Sequence, residues 1–408
     1  LQRLLEFMRK DEEKARAAGV NPPVIYDVSN NDNPFFCQCG ACTALAEKTG
    51  SQAGVLIDFL NEISDGIRAV RPDIFISTLA YFQSENPPTI APRDNIIIRL
   101  CDTGTNQAQP FSRQPDRKFV DRLEAWSKIA GVLGIWDYAI TYTATGFPYP
   151  HEYTLAENLR TYADNKVKFM FFEHENPETA DMFDLGVYLE TRLFEDPFAD
   201  ADALRHDFME KYYGAAAPFI EAYRQEVKTS ADRHGNFIDW FAEMPSHFSH
   251  MDAATVVKSQ QWFDQAEAAV AGDAELLGRV RRARLGLDRI TYAGDGYLAR
   301  EWAASGNGPW PFVKADVIAR ARESWQRSID DVLARAPETA QGERQGMENT
   351  MRNELDFYAA LPRIPAAEFA DAPWRSGPEI FDTPVAMRSA EHTSELQSRL
   401  HLACRLLL

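Results

Sequence analysis

The sequence predicts an α/β fold, the C-terminal portion of a (β/α)8 barrel of the TIM type followed by an all-helical region. Three observations predict it. Up to about residue 200, short runs of β-branched and aromatic residues alternate with amphipathic helical patterns. Those runs are almost continuously apolar, as strands buried on both faces of a parallel sheet are. Past residue 200 the strand signals stop while helical periodicity continues.

The chain opens on a helix-like segment with Leu4, Leu5 and Met8 on one face. It shows neither an initiator Met nor a signal pattern, so it reads as a fragment that lacks its upstream strands. Strand runs follow at 24–28, 74–79, 96–100, 133–136 and 167–172, with starts about 50, 22, 37 and 34 residues apart. That spacing suits βα units in which one helix is reduced to the Pro-rich stretch NPPTIAPRDN. Helices are expected at 54–70, before Pro72, and at 115–130, where Phe119, Leu123, Trp126 and Ile129 share a face. Five strands would also suit an open doubly wound sheet; the truncated start favours the second half of a barrel.

Further helices are expected at 202–213, 218–233, 253–271, 274–303, 313–336 and 342–361, with Gly214 as a left-handed cap. The organisation that results is a partial barrel catalytic domain at 1–200, a helical region at 201–388 and, at 389–408, a tail resembling sequencing-adaptor read-through. His247 with His250, and the run Arg279, Arg281, Arg282 and Arg284, read as solvated helix faces.

Composition excludes several functions. The 408 residues are 45% hydrophobic and 25% charged, an ordinary globular mix. No apolar run is long enough to cross a membrane. With 61 acidic against 43 basic side chains the net charge is −18, which repels nucleic acid. Three of five cysteines crowd together as Cys37, Cys39 and Cys42. With Cys101 as a fourth ligand they suit a structural zinc site; a disulfide within the set is the other reading.

Barrel chemistry sits where strands end. Those ends carry Ser29-Asn30-Asn31-Asp32-Asn33, then Tyr81, then Arg99, Cys101 and Asp102, then Trp136-Asp137-Tyr138, and last Glu173-His174-Glu175. Four of the five ends therefore offer a carboxylate. There is no nucleophile elbow and no glycine-rich phosphate loop, so carboxylates, amides and rings together point to acid-catalysed cleavage of an acetal. Tyr81, Trp136, Tyr138 and Tyr142 would stack on sugar rings while Asp102 and its neighbours take hydroxyls.

The ordered blocks VSNNDNPFFCQCGACTALAEKTG, ISTLAY, PRDNIIIRLCD, WSKIAGVLGIWDYA, FFE and EKYYGAAAP resemble a family first catalogued as domain of unknown function 4838 and later recognised in glycoside hydrolase family 163. The resemblance covers about residues 20–225. It implies an exported, carbohydrate-active enzyme, an endo-β-N-acetylglucosaminidase on N-glycans or related hexosaminides, with an oligosaccharide or glycoprotein glycan as partner. Asn31-Asp32 also resembles the adjacent polar pair of substrate-assisted hexosaminidases. There Asn31 would orient the 2-acetamido group and Asp32 would protonate the leaving oxygen. A second assignment makes Glu173 the acid or nucleophile, with Asp137 or Asp32 opposite. No cofactor is required for either. The alternative function is a non-catalytic carbohydrate-binding or zinc-stabilised scaffold.

Overall fold

The structure, a computed structural model, describes residues 1–362 apart from Pro34, Pro245 and Pro337. The expected tail at 389–408 lies outside the described residues. Helix α1 (Gln2–Ala18) leads into strand β1 (Ile25–Asp27), and helices α2 (Gly40–Thr49) and α3 (Ala53–Arg68) follow. Strands β2 (Phe75–Ala80) and β3 (Ile96–Cys101) are joined without an α-helix through the Pro-rich stretch. Helix α4 (Lys118–Ile129), strand β4 (Val132–Ala139), helix α5 (Leu155–Asp164) and strand β5 (Val167–His174) complete the sheet-forming part.

All five strands are parallel and lie in sequential order, β1 to β5. This corrects the expectation of a (β/α)8 barrel segment. The described residues form a five-stranded, curled half-barrel sheet that does not close, with β1 and β5 at its edges. Closure needs a full ring of tilted, staggered strands. Five strands stepping one neighbour at a time turn through part of such a ring. The sequential order also differs from that of a doubly wound sheet, which reverses direction part-way.

Alternation along each strand separates two faces. Ile76, Ala80, Ile96, Ile98, Leu100, Leu133 and Ile135 point to the helices, where Leu60, Ile67, Leu123, Trp126 and Leu159 bury against them in one apolar core. Their partners in alternation, Ser77, Leu79, Arg99, Cys101, Trp136, Tyr138, Phe171 and Glu173, line the opposite, concave face. At its base, Gly134 pairs with Phe169, whose ring lies where a Cβ on residue 134 would stand, so the ring packs directly on backbone.

Helices α6 (Phe183–Glu195), α7 (Ala201–Tyr213), α8 (Ala217–His234) and α9 (Ala253–Ala269) continue the same core, as do α10 (Ala274–Ala293) and α11 (Asp295–Ala304). Helices α12 (Lys314–Arg335) and α13 (Arg344–Ala360) pack on α10 around Trp325, Ile329 and Leu355. The single helix expected at 274–303 divides at Gly294, the residue type least able to hold a helix interior apart from Pro. Gly214 ends α7 as expected, but with φ 55° and ψ −125° it lies outside the left-handed helical basin.

Each of the two expected solvated faces has one interior member, while His247, Arg279, Arg281 and Arg282 stay partly exposed. His250 is fully buried, its Nε2 2.9 Å from the Pro148 carbonyl. Arg284 is also buried and pairs with Asp264 and Glu267, each at 2.7 Å. No helix among the described residues is long and apolar enough to cross a membrane.

Candidate active site

The concave face is polar at its centre and aromatic at its mouth. Asp27 on β1 pairs with Arg99 on β3, and the Arg99 guanidinium lies 5.5 Å from the centre of the Trp136 ring. Above this layer Glu173 ends β5. It is 7% exposed and accepts at both oxygens, from Trp136 Nε1 at 2.9 Å and from the Tyr142 hydroxyl at 2.5 Å. Two donors aimed at a carboxylate fix its position and satisfy its charge.

Tyr81, Tyr138 and Tyr142 surround Glu173. Burial, and secondarily the charges of Asp32 and Glu173, push the phenols of Tyr81 and Tyr142 above their ordinary values. Burial does the same to Tyr138. All three stay neutral hydroxyl donors at any physiological pH. The charges of Asp32 and Glu173 both act on the Tyr81 and Tyr142 phenols.

Asn31 and Asp32 are exposed on the loop after β1. Its start is tied to β2 by Val28 N–H to the Ser77 carbonyl at 2.8 Å and by Leu79 N–H to Ser29 Oγ at 3.1 Å. Its tip reaches the β2 side through Gln83 Nε2 and the Phe35 carbonyl at 3.4 Å. Phe35, Phe36, Phe82 and Phe241 stand exposed near the top of this face.

Trp240, which sequence reasoning missed, completes the aromatic layer. Its ring centre lies 4.6 Å from that of Tyr138 and 6.1 Å from that of Tyr142. It comes from the segment between α8 and α9, held to the sheet by Tyr142 N–H to the Trp240 carbonyl at 2.8 Å and Gln107 N–H to the Ile238 carbonyl at 2.7 Å. The cluster Phe237, Trp240 and Phe241, in a stretch between two helical patterns, was the available signal.

The expected set does not all converge. Asp137 and Asp102 point to the opposite face, because each is one residue out of phase with Trp136 or Cys101. Asp137 accepts from the Tyr162 hydroxyl of α5 at 2.8 Å, and burial pushes its carboxyl up to about 6. Asp102 accepts from Thr105 at 2.6 Å, and burial, then the charge of Asp137, raises it well above the carboxylate range. Neither side chain faces the concave side of the sheet. Cys101, also buried, packs with Tyr138 and Ile140 and stands apart from Cys37, Cys39 and Cys42.

Glu175 clamps the roof of the site. It accepts from Thr141 N–H at 3.0 Å, from the Thr141 hydroxyl at 2.8 Å and from Gly146 N–H. Burial nevertheless pushes it up to about 7. The folded chain thus holds its proton more tightly than an unfolded chain would, so this group's contribution is full below about pH 4 and is lost as pH rises toward 7. Stability measured by denaturant unfolding should fall between pH 5 and 7, and Glu175→Gln should flatten that slope by up to about 1 kcal/mol per pH unit; an unchanged slope would refute the assignment.

Gly146 itself has φ 72°, and a Cβ there would lie 2.2 Å from the Thr179 carbonyl oxygen. Gly146→Ala is expected to cost about 2 kcal/mol in a thermal or denaturant melt, from left-handed strain and overpacking together.

A comparison with curated proteins finds no match. Residues 12–225, which contain every strand and every concave-face residue above except Trp240 and Phe241, match the family described as a domain of unknown function, DUF4838, and the chain belongs to that family.

Proposed function

We propose that this chain is a glycoside hydrolase, a retaining, substrate-assisted endo-β-N-acetylglucosaminidase acting on N-glycans or related hexosaminides. The observation that carries the reading is Glu173, buried and held by Trp136 and Tyr142 beneath an aromatic layer, with the loop of Asn31 and Asp32 tied to strand β2 of the same sheet. Tyr81, Trp136, Tyr138 and Trp240 offer ring faces and neutral donors, the combination that sugar recognition uses.

In this reading Asn31 orients the 2-acetamido group and its carbonyl oxygen attacks the anomeric carbon. Asp32 gives a proton to the departing glycosidic oxygen, and the Glu173 carboxylate stabilises the positive charge that develops on the ring. Water, deprotonated by Asp32, then opens the oxazoline with overall retention. The chemistry needs no cofactor.

Mass spectrometry of glycans released from a complex-type glycoprotein tests this. Release that leaves one N-acetylglucosamine on the peptide, and that collapses in both Asp32→Asn and Glu173→Gln, supports the reading. Sugar binding without release from any glycoprotein or hexosaminide would replace it with a carbohydrate-binding scaffold.

A further inference from the structure

We infer that Cys37, Cys39 and Cys42 form a three-thiolate site for a soft divalent metal ion of the zinc class, and that this ion anchors the loop carrying Asn31 and Asp32. The three sulfurs lie within 4.8 Å of one another. Thiolates around a tetrahedral ion at about 2.3 Å must approach this closely. The spacing C-x-C-x-x-C brings them together at the N-terminus of α2, where Cys39 is the N-cap residue.

Position supplies the second argument. Residues 35–41 are all exposed, Phe35 to 81%, so this stretch buries no apolar core of its own. Ordering such a segment costs roughly 1–2 kcal/mol per residue in backbone entropy alone. The tie to β2 holds its start and Gln83 holds its tip. An ion on the three sulfurs would hold its end, a short span from Asp32. Three thiols suit one ion, whereas a disulfide between two of them leaves the third unused. Binding releases the thiol protons to solvent and involves no redox step. The metal site stands whether or not the protein cleaves sugars.

Elemental analysis of the full chain, purified without chelator, should give one zinc per chain. Cys39→Ser and Cys42→Ser should lose it, and Cys101→Ser should keep it. Cobalt added to the chelated wild-type chain should produce thiolate-to-cobalt charge-transfer absorption, an answer that needs no substitution. X-ray absorption at the zinc edge should read three sulfurs at about 2.3 Å and one light atom. Chelation should speed proteolysis within 28–39. A chain that takes up neither metal, a disulfide among the three cysteines in the intact mass, or a four-sulfur shell would each overturn the assignment.

Discussion

Glu173→Gln should lower kcat by about 10²–10⁴-fold while leaving sugar affinity nearly unchanged. The amide has the shape of the carboxylate and keeps its contacts: its oxygen accepts from Trp136 Nε1, and its nitrogen donates to the Tyr142 hydroxyl, which turns to accept. The fold is therefore preserved and only the charge is lost. Asp32→Asn should show a similar loss, with stability changed by less than about 0.5 kcal/mol because the side chain is exposed.

An activated aryl glycoside separates the two roles. Its leaving group departs without a proton, so it should restore the first step to Asp32→Asn, seen as a burst of released phenol, with turnover recovered when azide, which needs no base, replaces water, and it should restore neither to Glu173→Gln. Rescue of Glu173→Gln alone would exchange the two assignments. Wild-type turnover in Glu173→Gln would remove this residue from the chemistry.

Arg224→Met should destabilise the protein by about 3–5 kcal/mol, the cost of breaking a buried ion pair by removing one partner. Arg224 on α8 is 1% exposed. It donates Nε and one terminal nitrogen to the two oxygens of Glu152, at 2.6 and 2.8 Å, and its other terminal nitrogen to Asp181 at 2.7 Å. It also reaches the Tyr149 carbonyl at 2.8 Å. Without the guanidinium, two carboxylates would face each other in the interior. Burial already pushes Asp181 up to about 6 despite Arg224, so it would take up a proton.

The melting temperature should drop by on the order of 10 °C. Arg224→Lys should recover only part of this, since an ammonium cannot span the bidentate contact. Equal stability of the Met variant and the wild type would show that Arg224 does not join α8 to the segments that follow β4 and β5. Arg224 thus links the helical part to the loops behind Glu173, and the same α8 leads into the segment that delivers Trp240.

Much of the strand content was legible because buried parallel strands write themselves as apolar runs. The expected run 96–100 matches β3 at Ile96–Cys101, and 167–172 matches β5 at Val167–His174. The Pro-rich connection between β2 and β3 was legible too, since proline supplies no N–H for a helix interior. Helices α2, α5 and α6 carried weaker signals. The eight-strand barrel, of which this chain would carry the C-terminal portion, was an extrapolation from local βα spacing, and spacing says nothing about how many strands complete a ring.

Within the candidate site, Glu173, Trp136, Tyr138, Tyr81 and Asp32 were named from strand ends alone, and the first three lie on the concave face. Asp137 and Asp102 were misplaced because a strand end names a place along the sheet and not a face. One residue of phase carries a side chain from the concave face into the helix layer. Arg284 and His250 read as solvated because charge runs usually are, while their partners Asp264, Glu267 and Pro148 lie far away along the chain or on another element.

The sequence by itself determined the five parallel strands, their family and the carboxylate-rich strand ends, since hydrophobic period and residue type act locally. Only the tertiary structure decided which of those carboxylates face the concave side, that Trp240 joins the aromatic layer from beyond α8, that Cys101 leaves the cysteine cluster, and that the sheet of the described residues remains open. These outcomes depend on strand phase, on curvature and on contacts between distant segments, and each is settled by packing rather than by any local run of residues.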